Sequence, residues 1–99
     1  MKAYGIVRGD RSGRHTTAHV HAIRTLARHK DFDLHRIFVR DSDADFGLLL
    51  ATLGTSGTVT LVVPSVLHVT GWLDVMRRNA DVWTVLPPTC WPRHPDTPS

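Results

Sequence analysis

Ninety-nine residues, 41% of them hydrophobic, define one small domain, and a chain of this size buries only about 60 to 65% of its extended surface, so its core is thin. No apolar run approaches the roughly 18 residues of a membrane span, and the lone Cys90 excludes an internal disulfide and a cysteine-based zinc site. Beneath the net +3, residues 1–40 hold nine Lys or Arg against three Asp and residues 41–99 three Arg against six Asp, so the basic half suits a polyanion or an acidic protein surface.

Met1-Lys2-Ala3-Tyr4 leads straight into an apolar pattern instead of a signal-peptide segment, which predicts a cytoplasmic protein with no membrane association. Ala3 to Val7 reads as a short buried strand, ended by a loop from Gly9 to Gly13. A helix is predicted from about Thr16 to His29, because Val20, Ile23, Leu26 and Ala27 recur at the spacing of one apolar stripe; His21, Arg24 and Arg28 fall outside it. Five of the seven histidines, His15, His19, His21, His29 and His35, also lie in the basic half.

Asp31-Phe32-Asp33 reads as a turn and Leu34 to Val39 as the second strand. Asp43 or Asp45 is expected to cap a second helix running to about Leu53, with Phe46, Leu49, Leu50 and Leu53 as its stripe. Gly54-Thr55-Ser56-Gly57 ends that helix, and the β-branched run Thr58 to Val63 suits a central parallel strand closed by Pro64. Thr70 is the expected cap of a third helix, Trp72 to Asn79, and Val82 to Leu86 reads as a fourth strand. The order βαβαβαβ implies an α/β domain with a parallel sheet and right-handed crossovers. Five of the six prolines fall in the last 13 residues, which predicts a domain over 1–86 and a flexible tail over 87–99 that cannot join the sheet, anchored only by Trp91.

The opening Tyr4-Gly5-Ile6-Val7-Arg8-Gly9-Asp10 resembles that of the serine recombinases of the resolvase and invertase family, where an arginine precedes the DNA-attacking serine by two residues. Arg8 stands at the arginine, and Asp10 stands where the serine is expected. Leu61 to Gly71 is similar to the family's third strand and following loop, but the family's acid falls on Leu67 and its two arginines on His68 and Gly71. A further family arginine would lie within Asp41-Ser42-Asp43-Ala44-Asp45, where this chain is acidic. The resemblance spans roughly residues 3 to 86 in its pattern of elements and implies a three-layer resolvase-like domain with a four-stranded, mainly parallel sheet in the order 2-1-3-4. Family members continue with a further strand, a long dimerisation helix and a helix-turn-helix module; a truncated member lacking all three is expected here.

Loops after the first three strands open on one edge of such a sheet, so Arg8, Arg11, Arg14, Arg40 and His68 can converge there as an anion pocket. In the active family the serine hydroxyl attacks a phosphodiester while arginines neutralise the developing charge. Asp10 breaks that scheme, because a carboxylate repels a phosphate; it is expected to pair with Arg8 or Arg11, or to cap a helix start. Ser12 is a displaced alternative nucleophile, disfavoured because reaction geometry tolerates errors of only about 1 Å.

His15 and His19 share a helix face, yet the chain has no glutamate and no third ligand nearby, so surface histidines are a better reading than a metal site. Gly9 to Arg14 is one residue short of a P-loop and lacks its lysine, and no cofactor is implied. Trp72 and Trp83 are expected in the core or at its rim.

Together these features predict a non-catalytic interaction or regulatory module, self-associating or held by a protein partner at the sheet edge that a fourth and last strand leaves unpaired. Two alternatives stand beside it. One is non-specific nucleic-acid binding through Arg8, Arg11, Arg14, Arg24, Arg28 and Arg40. The other, less favoured, is a surviving recombinase or phosphoryl-transfer enzyme using Ser12 or Asp10.

Overall fold

A computed structural model describes residues 2–53, 59–78 and 80–93, with the side chains of Arg11, Ser12, Leu53 and Val59 outside the description. Strand β1 (Lys2–Arg8) lies inside a five-stranded sheet of order β2-β1-β3-β4-β5, formed with β2 (Asp33–Arg40), β3 (Val59–Val63), β4 (Ala80–Val85) and β5 (Pro88–Trp91). The first four strands are parallel, and β5 runs antiparallel to β4. Their side chains alternate between two apolar layers, as a sheet covered on both faces requires.

One face is covered by α2 (Thr16–His29), whose Ile23 and Leu26 pack with Val7, Val62 and Val85. The helix reaches the sheet closely because β1 offers a glycine there: a Cβ on Gly5 would lie 2.8 Å from Ile23 Cγ2 and 2.9 Å from Ile37 Cγ1. After α2, the Asp31 amide donates to the Arg28 carbonyl (3.2 Å) and the Phe32 amide to the Ala27 carbonyl (2.8 Å), with Asp31 left-handed at φ 58°. This is a Schellman closure, and it turns the chain into β2.

The other face is covered by α3 (Asp43–Leu53), the 3-10 turn Val66–Val69 and α4 (Leu73–Arg77), which pack Phe46, Leu49, Val69 and Met76 against Ile6, Leu61, Val63 and Val82. The Ser42 hydroxyl, not Asp43 or Asp45, accepts the capping bond at the start of α3, from the Asp45 amide at 3.2 Å. Thr70 does not cap α4, whose start has no side-chain cap; its hydroxyl donates instead to the Leu67 carbonyl at 3.1 Å. The segment Gly9–Ser12 forms a single helical turn, α1, followed by a 3-10 turn over Gly13–His15, where an open loop was expected.

The β1–β2 register slips by one residue: Ala3 faces Leu34, but Tyr4 faces Arg36, leaving His35 as the extra residue of a bulge. Leu34 and Ile37 therefore both join the α2 layer, while Phe38 joins the α3 layer. Arg36 and Arg40, in step with Phe38, lie over its ring at 5.2 and 5.3 Å.

The α/β class expected from the sequence is present, but the four-stranded sheet is not. Residues 88–91 of the expected flexible tail form β5, with Val85 opposite Pro88 and Val82 opposite Trp91. A proline is tolerated there because it opens an edge strand, where an amide donor is dispensable. The buried Thr84 hydroxyl fixes the connection by donating to the Pro87 carbonyl at 2.8 Å. The rest of the tail, from residue 94, and the expected helix end at Asn79 lie outside the described residues. Among those residues no helix is long and apolar enough to cross a membrane.

Candidate functional site

Arg8 ends β1 at the carboxyl edge of the sheet, beside the point where the chain goes to β2 on one side and β3 on the other. Crevices form at such a reversal of strand order. Here the crevice position holds a guanidinium that is only 2% exposed. Its Nε donates to Asp10 Oδ1 at 3.0 Å and its Nη2 to Asp10 Oδ2 at 2.7 Å, a bidentate pair across the β1–α1 junction. Its Nη1 donates to Asp43 Oδ1 at 2.8 Å, at the start of α3.

The ring of Phe46 supports the guanidinium from below, with 5.4 Å from Cζ to the ring centroid. Trp72 closes the set: its indole Nε1 donates to the same Asp43 oxygen at 3.3 Å, and its ring meets Phe46 edge-on at 5.3 Å. Gly47 makes room for it in the middle of α3, since a Cβ there would stand 3.1 Å from the Trp72 ring. Donation to the Asp10 carboxylate raises the Arg8 pKa above its ordinary value, burial opposes the rise, and Asp43 adds to it. The group is a permanent cation already saturated by anions.

Among the described side chains, the expected anion pocket is not gathered around Arg8. Arg40, opposite Arg8 in register, stacks on Phe38 and donates Nη1 to the Val39 carbonyl at 3.0 Å. Arg14 is exposed in the 3-10 turn before α2, and the Arg11 and Ser12 side chains lie outside the described residues. His68 is buried and meets the His19 ring edge-on at 5.0 Å, with His15 a further 6.2 Å along. No group of three His, Cys or Asp able to hold a metal ion occurs among the described residues.

Of the other positions that the resemblance singles out, Leu67 is exposed and Gly71 is left-handed at φ 85° with open space around it. Neither supplies charge. Arg24 and Arg28 are exposed on α2 and line an open cavity of about 390 Å³ with Asp31, Phe32 and Leu34, at the opposite end of that helix from Arg14.

Asp43 and Trp72 are the site residues that sequence reasoning did not assign to Arg8, since 35 and 29 residues separate the bonded groups and only the fold brings them together. Arg36 was missed as well, although the alternation Arg36-x-Phe38-x-Arg40 marks one face of an edge strand. No protein-family model, curated protein or solved structure matches this chain.

Proposed function

We propose that this chain is a non-catalytic interaction or regulatory module on a resolvase-like α/β frame, and that it self-associates. The observation that carries the reading is the closure of Arg8 by Asp10 and Asp43. A phosphodiester at this edge would have to displace two carboxylates from a buried guanidinium, and charge developing on its oxygens would meet anions instead of donors. The fifth strand pairs with β4 and covers the edge that was expected to stand open, so that edge does not supply the docking surface. For self-association, exposed Leu86 stands beside an open groove of about 480 Å³ lined by Leu26, Val85 and Pro88.

Incubation of the purified chain with plasmid and duplex DNA, followed by denaturing electrophoresis, is expected to reveal no covalent protein–DNA adduct, and Asp10→Ser is expected to create none. An adduct from the unaltered chain would overturn the reading. Light scattering after size exclusion is expected to report a mass above that of the monomer; a strict monomer at high concentration removes self-association.

Nucleic-acid binding is a second reading, favoured by Arg24 and Arg28, which are exposed one turn apart and form no ion pair among the described residues. Such binding would be non-specific and would fall steeply with salt as condensed counterions compete. A gel shift at low salt that disappears at moderate salt supports it, and no shift at low salt removes it.

A further inference from the structure

Among the described residues, strand β2 is the end strand of the sheet and pairs only with β1. Its eight residues therefore turn a row of backbone donors and acceptors outward, the template on which extended segments add as new strands. Beside that edge, β2 and α3 enclose an open cleft of about 660 Å³.

Because α3 runs back against the strand direction, the cleft is graded along its length. Asp41, Asp45 and Arg40 line one end, Phe38, Leu48 and Leu49 the middle, and Arg36 and Thr52 the other. Leu48, 70% exposed, gives the middle an apolar wall. Arg36 is exposed and forms no ion pair among the described residues, and its position four residues from Arg40 sets it about 13 Å along the strand.

We propose that this edge binds an extended segment of a partner protein as a sixth strand, with an acidic side chain of that segment on Arg36 and an apolar one, two residues away, against Leu48 beside the arginine-covered Phe38 ring. The proposal rests on the reading of the chain as an interaction module and names the partner's chemistry. Facing residues on adjacent strands lie about 4.5–5.5 Å apart, so an acid opposite Arg36 meets its guanidinium, and the side chain two residues on points into the same cleft.

A polyphosphate fits this gradient poorly, because Asp41 and Asp45 repel it at one end, whereas a peptide can place a single acid at the other. A second copy of the chain fits poorly as well, because pairing β2 with β2 gathers four arginines on one ribbon and facing like charges are destabilising. The bulge at His35 makes the site possible, since it turns Arg36 into the layer of Phe38 and not that of Leu34.

The test is fluorescence anisotropy with a labelled, threonine-rich peptide of about nine residues that carries one glutamate two positions from a central isoleucine. A peptide with lysine in place of the glutamate and an oligothymidylate serve as the other probes. The glutamate peptide is expected to bind at least ten-fold more tightly than the lysine peptide and to slow hydrogen exchange in β2. Arg36→Glu should reverse that order, and Leu48→Asp should weaken the glutamate peptide while leaving the circular dichroism spectrum unchanged. Equal binding of the two peptides, no binding, indifference to both substitutions, or displacement by the oligothymidylate would each overturn the assignment. Light scattering on the unliganded chain separates the two readings: a self-associated chain that ignores the peptide sinks the β2 site alone, and a monomer that binds it sinks self-association alone.

Discussion

Arg8 and Asp10 hold each other through two near-parallel hydrogen bonds of 3.0 and 2.7 Å across the junction of β1 and α1. The arginine is buried and the aspartate is 35% exposed, so the pair is screened from one side only. Removing both of its anions with Asp10→Ala and Asp43→Ala leaves a guanidinium without a charged partner in the core. Asp43 is 67% exposed, which reduces the loss to about 1–3 kcal/mol instead of the larger value of a dry pair. Urea denaturation measures it, and Arg8→Met, which removes the buried charge and keeps the volume, is expected to cost less than the double carboxylate variant. Because the Arg8 pKa is raised, its contribution is fully present below the ordinary guanidinium pKa and is lost only as pH rises through the raised value. The stability difference between the unaltered chain and Arg8→Met should therefore show no decline attributable to Arg8 between neutrality and about pH 10.

Gly5 is the contact that sets the distance between β1 and α2. In Gly5→Ala the new methyl meets Ile23 and Ile37, both held in the core layer, and overpacking of this kind costs about 1–3 kcal/mol. A fall in the denaturation midpoint with an unchanged slope is the expected result; an unchanged midpoint would mean that the helix moves away freely.

Asp31 adopts φ 58° at the close of α2 and carries negative charge beside the helix carboxyl end. Both features are unfavourable, and Asp31→Gly removes both while keeping the two closing amide bonds. The gain expected is about 0.5–1 kcal/mol after allowing for the greater freedom of glycine in the unfolded chain.

Cys90 is exposed in β5, and partial desolvation of its thiol, then Asp81, pushes its pKa up. Alkylation by iodoacetamide near pH 8 is expected to be slower than for a free cysteine peptide, since the thiolate is the reacting form. Thr84→Val removes the hydroxyl that holds the Pro87 carbonyl and should cost about 1–2 kcal/mol. It should also speed the alkylation as the β4–β5 connection frays. Equal rates in the two proteins would show that the hydroxyl does not secure β5.

The parts that local chemistry controls were legible in the sequence. The apolar stripe of α2 runs from Thr16 to His29, and Ile23, Leu26 and Ala27 on it are buried while Arg24 and Arg28 remain exposed. Local spacing offered Arg8 to Asp10 beside Arg11 or a helix start, and the fold pairs Asp10 with Arg8. Proline misled the reading of the tail: its composition argues against strands in general, but the rule binds only inside a sheet, and Pro88 begins an edge strand. At the start of α3 several acceptors stand in a row, and composition alone could not choose Ser42 over the aspartates. Asp43 and Trp72 entered the Arg8 cluster through tertiary contacts that no local pattern announces, and the bulge at His35 depends on how β2 lies against β1, which one strand cannot report.

Antiparallel β5 has a consequence for how this domain can be tethered. Lys2 opens β1 opposite Asp33, and Arg93, just past β5, donates its amide to Asp81 near the beginning of β4 at 2.7 Å, so both lie along the lower rim of the sheet. Arg8 lies at the upper rim. Immobilised through either residue, the domain would turn the Arg8 end of the sheet, with the partly exposed carboxylates of Asp10 and Asp43, away from the support.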